Sequence, residues 1–455
     1  MTDLLISALP GGMFAFLVVG MFSGVPVAIV LMGISLVFSI LAISLGEMRL
    51  VQATLLPNRI YSGVIENQVL VAAPMFILMG VIMDKTRLAE DLLLTMQRLL
   101  RRVPGGLALA VVAMGTILAA ATGIIGASVV MLSMMAIPTM IEKGYDPGLA
   151  AGTVASSGTL GILIPPSVML VFMGDLLSIS LGRLFVAALV PGLLLSLMYM
   201  LYILIRATLQ PSIAPRLPPA GPEDRVSLRE TALSVLAPLA LIIAVLGSIL
   251  GGVATPTEAG GVGVAASILL GLARGRLSMK AMTEAQDSAV TSLGMLFFIF
   301  VGATAFAYVF RIVGGEHFVV EVARSLPFGD YGLLLALMMM VFVMGFFFDW
   351  IEITLILLPI FAPILRVMDL GDHIPQEEII FWVAIMITVN LQTSFLTPPF
   401  GFALFYLKGA AGNLVSMRDI YRGVVPFVLM QLSVVLLILL FPGIAMWLPE
   451  QLFQQ

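Results

Sequence analysis

Apolar stretches follow one another along most of the chain, with short polar segments between them. They lie near 5–22, 25–45, 62–83, 106–140, 148–173, 181–206, 232–251, 254–273, 290–312, 330–365, 380–406 and 421–447. A helix needs about twenty apolar residues to cross a bilayer, and these continuous stretches lack the alternation of barrel strands. A backbone inside the bilayer must also satisfy its own hydrogen bonds. The pattern therefore predicts an all-α polytopic membrane protein.

Two of these stretches, 106–140 and 330–365, run to about 35 residues, which is too long for one ordinary crossing. Each has glycines near its middle. Each stretch could cross the membrane in full, or it could enter halfway and return as a re-entrant hairpin. Hydrophobicity alone leaves both options open.

The distribution of positive charge favours hairpins. The chain has 455 residues, of which 60% are hydrophobic and 11% charged, including 22 lysines and arginines. If the segment after residue 83 is cytoplasmic and both long stretches are hairpins, 16 of these 22 lie on the cytoplasmic side: Lys85, Arg87, Arg98, Arg101, Arg102, Lys143, Arg206, Arg216, Arg225, Arg229, Arg274, Arg276, Lys280, Lys408, Arg418 and Arg422. The outer side keeps Arg49, Arg59, Arg183, Arg311, Arg324 and Arg366. Such an excess of positive charge on the cytoplasmic side is typical of inner-membrane proteins. Full crossings would largely remove it.

Two other stretches, 148–173 and 380–406, contain adjacent prolines inside apolar sequence, in "SSGTLGILIPPS" (156–167) and "LQTSFLTPPFG" (391–401). Proline removes a helical hydrogen bond and clashes with the preceding turn. Both stretches are therefore predicted to be broken transmembrane helices. In each, freed backbone groups must be satisfied by protein, water, ions or substrate.

Matching residues recur in the same order in the two halves of the chain. Seven pairs, at offsets of 221 to 235 residues, are Pro26 and Pro256, Gly80 and Gly302, Pro104 and Pro327, Gly123 and Gly345, Pro138 and Pro359, Pro166 and Pro399, and Pro191 and Pro426. The first hairpin opens from the cytoplasm and the second from outside, so the repeats are predicted to be inverted, as in secondary transporters. We expect a first repeat at 1–206, a cytoplasmic linker at 207–230 and a second repeat at 231–455. Amphipathic pieces at 85–102 and 314–326 precede the hairpins as surface arms.

The two breaks supply the polar groups that could carry chemistry. The first contains Ser156, Ser157, Gly158, Thr159, Gly161, Pro165 and Pro166, and the second Asn390, Gln392, Thr393, Ser394, Thr397, Pro398, Pro399 and Gly401. Carbonyl and hydroxyl oxygens suit a hard cation, whereas amides at a helix start favour an anion. The alternative is a proline kink whose hydroxyls bond to their own backbone.

The two hairpin tips differ. The first reads "ATGIIGAS" (121–128), and the second reads "GFFFDWIEIT" (345–354) with Asp349 and Glu352. Carboxylates inside a membrane are costly and usually functional. Asp349 could bind a cation, relay a proton or cap the second arm of its hairpin, because aspartate is a favoured N-cap.

The sequence contains little that supports another class of function. An intramembrane enzyme needs a nucleophile and base or a metal cluster, but the chain has no cysteine, and His317 and His373 fall in predicted outer loops. No nucleotide-binding motif stands in a suitable context. A channel favours polar helices repeated around an axis over two hairpins facing two breaks. A transporter subunit is the leading prediction, without cofactor or nucleic acid.

Six stretches resemble the large membrane subunit of TRAP transporters, the tripartite ATP-independent periplasmic transporters of bacteria. They are "PMFILMGVIMD", "PGGLALAVVAMGTILAAATG", "GTLGILIPPS", "LFVAALVPGLLL", "GFFFDWIEITLILLPIFAPIL" and "NLQTSFLTPPFGFALFYLKG". The similarity covers nearly the whole chain. The last two stretches resemble the branch labelled for mannitol or chloroaromatic compounds.

The resemblance implies an elevator-type, sodium-coupled importer of a small organic acid in the bacterial inner membrane. Its expected partners are a small four-helix membrane subunit and a periplasmic substrate-binding protein. A 2-oxo or 2-hydroxy carboxylate is the favoured cargo. The alternatives are a proton-coupled or a binding-protein-independent anion transporter.

The resemblance also implies two sodium sites, each made by a hairpin and a broken helix. The first maps onto Thr122, Gly123, Ser128, Ser157, Gly158 and Pro165, and the second onto Gly345, Asp349, Ser394, Thr397 and Pro398. The remaining polar residues of the breaks, Ser156, Thr159, Asn390, Gln392 and Thr393, are assigned to the substrate. The common serine–glycine–serine tip of the family reads Thr122-Gly123-Ile124-Ile125-Gly126-Ala127-Ser128 here.

Overall fold

A computed structural model describes residues 2–122, 125–217, 228–325, 329–399 and 401–453, and the regular secondary structure of these residues is entirely helical. Eight helices in this part of the chain are long and apolar enough to cross a membrane. The prediction of an all-α polytopic membrane protein is therefore confirmed.

The first half of the chain forms α1 (Thr2–Met21), α2 (Val27–Leu45), α3 (Leu50–Thr54), α4 (Leu56–Ile60), α5 (Ala72–Lys85), α6 (Leu88–Leu99), α7 (Gly106–Thr122), α8 (Ile125–Glu142), α9 (Pro147–Thr159), α10 (Val168–Leu176) and α11 (Leu181–Leu209). The second half forms α12 (Leu228–Leu250), α13 (Pro256–Ala273), α14 (Met279–Ile312), α15 (Gly315–Ser325), α16 (Gly329–Met344), α17 (Trp350–Val367), α18 (Gln376–Leu396), α19 (Phe402–Ala411), α20 (Met417–Leu440) and α21 (Gly443–Phe453). The helices α6 and α15 correspond to the two amphipathic arms.

Both long stretches fold as hairpins whose two ends lie together. In the first hairpin, α7 and α8, the Tyr145 hydroxyl accepts from the Leu107 amide at 3.2 Å. In the second, α16 and α17, the Asp330 carboxylate accepts from the Asp369 amide at 2.7 Å. Each hairpin therefore returns to the side from which it starts.

Both proline pairs interrupt a helix. After α9, a 3₁₀ turn at Leu160–Ile162 leads to a cis peptide bond between Pro165 and Pro166, and α10 begins at Val168. In the second break the cis bond joins Pro398 to Pro399, and it lies between α18 and α19. We call α9–α10 and α18–α19 the broken helices.

The hairpins approach the first broken helix from opposite ends. The base of the first hairpin lies at the start of α9, because Tyr145, which accepts from the Leu107 amide, stands two residues before Pro147. The base of the second lies at the end of α10, where Arg366 Nη2 donates to the Leu177 carbonyl at 2.5 Å. This geometry supports the inverted arrangement of the repeats, while the orientation in the membrane stays a prediction.

The helices form two groups. The frame consists of α1, α2, α5, α12, α13 and α14, in which α2 packs on α14 and α13 on α5. The hairpin unit consists of the two hairpins, the two broken helices, α11 and α20. Within it, α8 packs on α19 and α17 on α10. These two contacts are equivalent. In each of them, the second arm of one repeat's hairpin packs on the second part of the other repeat's broken helix.

Ion pairs join residues that were predicted to share the cytoplasmic side. Lys85 pairs with Glu284 at 3.3 Å, and Asp91 receives both Arg274 at 2.8 Å and Arg276 at 2.7 Å. These contacts connect α5 with α14 and α6 with the segment that follows α13. The charged residues after residue 83 and those around residue 275 therefore lie at one end of the molecule.

Several helices begin or end away from the limits of the apolar stretches. The stretch 62–83 is not one continuous helix, because the π-helical turn Tyr61–Ile65 is followed by non-helical residues 66–71 and α5 begins only at Ala72. The stretch 290–312 begins at Met279, where the Ser278 side chain accepts from the Ala281 amide. A non-helical Phe441 and Pro442 divide the stretch 421–447 into α20 and α21. The helix α11 extends to Leu209 and α12 begins at Leu228, and the division of the chain at a linker spanning 207–230 stays a prediction.

Candidate functional site

Both arms of the first hairpin closely approach α9 in its last turn. A Cβ atom at Gly158 would lie 2.6 Å from Val129 Cγ2 and 3.2 Å from the Val129 amide nitrogen. A Cβ atom at Gly115 of α7 would lie 2.7 Å from Ser157 Cβ. Ser128, next to Val129, is buried. Of the first predicted sodium site, the structure therefore places Ser157 and Gly158 against the hairpin, with Ser128 next to the residue that contacts Gly158.

The second hairpin approaches α18 in the same way. A Cβ atom at Gly345 would overlap the Ser394 hydroxyl and would lie 2.5 Å from Ser394 Cβ. Four residues earlier on α18, Asn390 Nδ2 donates to the Met338 carbonyl of α16 at 2.6 Å. Gly345 and Ser394 of the second predicted site are therefore in direct contact, and Thr397 follows one turn later.

The hydroxyl groups of the two breaks donate to carbonyls of their own helices. They are those of Ser156, Ser157, Thr159, Thr393, Ser394 and Thr397, with distances of 2.6 to 3.0 Å. This is the local bonding of the kink alternative. It does not oppose a cation site, because a hydroxyl that donates its proton to the backbone keeps lone pairs that can coordinate a cation.

Asp349 caps α17. Its Oδ1 accepts from the Trp350 amide at 2.8 Å, and its own amide donates to Glu352 Oε2 at 3.4 Å. The predicted capping role is therefore present. Asp349 remains partly exposed at the tip of the hairpin, so a second role as a cation ligand stays a prediction.

Tyr406 of α19 lies against the tip of the first hairpin. A Cβ atom at Gly126 of this tip would lie 3.0 Å from Tyr406 Cζ. Sequence reasoning missed Tyr406, because only the fold brings α19 to the first hairpin.

A hydrogen bond joins the two breaks directly. Gln392 Nε2 of α18 donates to the Thr159 carbonyl at the end of α9, at 2.7 Å. The other amide atom, Gln392 Oε1, is buried and has no hydrogen-bond partner among the described residues. The five residues assigned to the substrate are all buried: Ser156, Thr159, Asn390, Gln392 and Thr393. A substrate would therefore reach them only if the hairpins moved.

Part of the first site falls outside the described residues. Gly123 and Ile124 lie there, as does the side chain of Thr122. Pro165 is buried within the first break, and Pro398 is partly exposed in the second. Gly115 was missed by sequence reasoning, because a glycine inside an apolar helix gives no sign of which helix approaches it.

The family pattern described as "Tripartite ATP-independent periplasmic transporter, DctM component" matches residues 14–444. The chain belongs to this DctM family. The resemblance inferred from the six stretches is confirmed at this level, as is the expectation of a transporter subunit and not an enzyme. Assignment to the mannitol or chloroaromatic branch is not part of this finding.

Relatives of this DctM-family permease carry several substrate names. The chain is 33% identical over 394 residues to the C4-dicarboxylate TRAP transporter large permease protein DctM of Pseudomonas aeruginosa, covering 85% of this chain and 87% of that one. It is 29% identical to the ectoine large permease TeaC of Halomonas elongata, with the same coverage. It is 28% identical to the sialic acid large permease SiaM of Vibrio cholerae, covering 94% and 96%.

The fold also resembles a solved transporter. A crystal structure of the YdaH transporter from Alcanivorax borkumensis superimposes with a TM-score of 0.61 at 14% identity, covering 87% of each chain. At this identity the likeness concerns the fold alone. Together with the family membership, it describes an integral membrane permease subunit.

Proposed function

We propose that this DctM-family permease imports a small organic acid by coupling its movement to sodium. The observation that carries the proposal is the close packing of each hairpin on one broken helix. Gly158 receives the first hairpin and Gly345 allows the second to contact Ser394, with no room for a side chain at either position. Each contact brings a hairpin to hydroxyl and carbonyl oxygens of a break, which are ligands suited to a hard cation.

The mechanism that we propose is an elevator. The hairpin unit would move as one body against the frame and carry sodium and substrate across the membrane. Two features support it. The hairpins approach from opposite ends, and the polar residues at the centre of the unit are buried. Such a centre can open to one side at a time if one hairpin leaves its break.

The proposed partners follow from the family. A tripartite periplasmic system combines the large subunit with a small four-helix membrane subunit and a periplasmic substrate-binding protein, in the bacterial inner membrane. The cargo that we favour is a 2-oxo or 2-hydroxy carboxylate. This cargo is favoured by the branch resemblance of the stretches "GFFFDWIEITLILLPIFAPIL" and "NLQTSFLTPPFGFALFYLKG". The relatives named for C4-dicarboxylates and sialic acid are consistent with an acidic cargo in general.

Proton coupling is the second candidate, and one observation favours it. Asp349 and Glu352 place two carboxylates at the tip of the second hairpin. A carboxylate that picks up and releases a proton could drive transport in the same fold. The two candidates differ in the ion that must be present outside.

The test is uptake by the permease reconstituted with its small subunit and binding protein. We expect uptake to require a sodium gradient and no ATP. Replacing Asp349 by asparagine keeps the N-cap but removes a charge, so sodium binding should weaken by about 1–3 kcal/mol, or roughly tenfold to over a hundredfold in half-saturation. Asp287→Asn, on the exposed face of α14, is the matched control.

Sodium-independent uptake that follows a pH gradient would favour the proton mechanism. An Asp349→Asn protein with the sodium half-saturation of the wild type would leave Asp349 as a cap alone. Uptake that is equally fast without any sodium or proton gradient would contradict both candidates.

A further inference from the structure

A cleft of about 890 Å³ lies beside the second hairpin, away from the two breaks. One wall is α17, with Pro359 and Arg366. The opposite wall consists of α3, α4 and the following π-helical turn together with the end of α14, including Arg59 and Arg311. The volume is in the range of small-molecule sites. The cleft therefore has room for a metabolite-sized ligand between the frame and the hairpin unit.

Among the described residues, three arginines and one glutamate line this cleft. They are Arg59, Arg311, Arg366 and Glu316. The arginines come from three separate parts of the sequence, and all three belong to the few that were predicted to lie on the outer side. Three positive charges against one negative charge leave the lining with a net charge of +2.

The guanidinium groups of these arginines have N–H donors left for a ligand. Arg311 Nε pairs with Glu316 at 2.9 Å, which accounts for the one acid. Arg366 Nη2 donates to the Leu177 carbonyl, which uses one of the five donors of its guanidinium. Arg59 is exposed and forms no ion pair with any described residue. Arg59 and Arg366 can therefore each present a guanidinium edge to an anion.

The rest of the lining suits a small organic anion. Leu355, Pro359 and Phe300 are apolar, while Ser62 and Thr304 supply hydroxyl groups. Planar guanidinium groups bind carboxylates through two parallel hydrogen bonds, and such pairs are stronger than neutral ones. A surplus of positive charge in a concave site also raises the local concentration of anions.

We propose that this cleft is an entry site that binds the carboxylate of the organic-acid cargo on the outer side, through Arg59 and Arg366. The cleft has one wall in the second hairpin and the other at the end of α14 of the frame, with α4 and the π-helical turn packed on α14. A bound anion would therefore bridge the parts that the proposed mechanism moves relative to each other. The biological role rests on the proposed import of an organic acid, but binding at this cleft is testable without transport.

The experiment uses the absence of cysteine from the chain. Ser62→Cys, one turn after Arg59, places a single thiol at the cleft. The permease and its small subunit are reconstituted without binding protein, and labelling by an impermeant maleimide is timed at constant sodium concentration and ionic strength. The added probes are succinate, pyruvate and uncharged succinamide.

We expect succinate or pyruvate to slow labelling at least threefold, and succinamide to leave it unchanged. Combining Ser62→Cys with Arg59→Gln and Arg366→Gln should abolish the protection. Arg49→Gln, an exposed arginine outside the cleft, is the matched control and should retain it. These outcomes do not depend on a sodium gradient, so they are distinct from a failure of sodium coupling.

Three results would overturn the proposal. The first is equal labelling with and without both acids, and the second is protection that survives the double arginine replacement. The third concerns lipid, whose phosphate could also bind arginine. If phosphatidylglycerol vesicles slow labelling relative to phosphatidylcholine vesicles while the acids have no effect in either, the cleft binds a headgroup and not the cargo.

Discussion

At the tip of the second hairpin, Gly345 and Ser394 occupy a space in which only one of them can carry a side chain. A Cβ atom at Gly345 would overlap the Ser394 hydroxyl and would lie 2.5 Å from its Cβ. Real Cβ atoms do not approach other atoms so closely. Glycine at position 345 is therefore required for the hairpin to reach the break, which is where the second sodium site is proposed.

Substitutions at this contact can distinguish a role in packing from a role in cation binding. Gly345→Ala should lower uptake at least tenfold and lower the unfolding temperature in detergent, because overpacking costs about 1–3 kcal/mol. Adding Ser394→Gly should restore the unfolding temperature, since it vacates the space. It should not restore the sodium affinity, because the hydroxyl is lost. Gly409→Ala, which meets no atom within 4 Å, is the control.

If the swapped protein regains the wild-type sodium half-saturation, Ser394 is not a sodium ligand. If Gly345→Ala alone has normal uptake, the hairpin does not have to reach α18 and the proposed site is wrong.

The sequence predicted those features of the site that depend only on residues close together in the chain. The N-cap role of Asp349 is local, because an aspartate before an apolar helical run favours it. The back-bonded hydroxyls were foreseen as the kink alternative for the same reason. The contacts of Gly115 with Ser157 and of Gly126 with Tyr406 were not predictable. They depend on how helices far apart in sequence approach one another.

Among the helices, α9 is held to α20 by glycines. A Cβ atom at Gly423 would overlap the Gly148 carbonyl oxygen, and one at Gly152 would overlap the Gly423 carbonyl oxygen. Gly148 and Gly152 are four residues apart and so share one face of α9. Small residues at this spacing allow helices in a membrane to pack backbone to backbone. The crossing fixes the first broken helix within the hairpin unit.

Gly423→Ala should therefore separate α9 from α20. We expect a loss of about 1–3 kcal/mol in stability, seen as a lower unfolding temperature in detergent. Gly261→Ala in α13 meets no atom within 4 Å and should be neutral or stabilising by up to about 1 kcal/mol. An unfolding temperature for Gly423→Ala equal to that of Gly261→Ala would show that the crossing is not this tight in the membrane.

The helical elements were largely predictable, and their ends were not. Length, glycine content and charge together predicted the hairpins, and the proline pairs predicted the breaks. Hydrophobicity does not mark where α14 begins, because its first turns, from Met279, are polar and helical. That helix has 34 residues and is roughly 51 Å long, well beyond the hydrocarbon thickness of a bilayer.

For the whole molecule, the sequence predicted two related halves, and the structure adds how they pack. Reciprocal contacts of α2 with α14 and of α13 with α5 build the frame from both halves. No periodicity within one helix could reveal this, because each contact joins helices from opposite halves of the chain. The arginine cleft arises in the same way, from Arg59, Arg311 and Arg366.

The elevator proposal requires the hairpin unit to slide along the frame, and one contact between them is suited to a test. Asn67, just before α5 of the frame, donates through Nδ2 to Asp175 Oδ1 of α10 at 2.7 Å. If α10 moves, joining Asn67→Cys to Asp175→Cys with a short reducible crosslinker should lower uptake at least tenfold, and reduction should restore it. Lys85→Cys joined to Glu284→Cys, across a 3.3 Å pair within the frame, should leave uptake unchanged. Full uptake by a completely crosslinked first pair would mean that α10 stays fixed against α5, which an elevator does not allow, while sodium coupling would still stand.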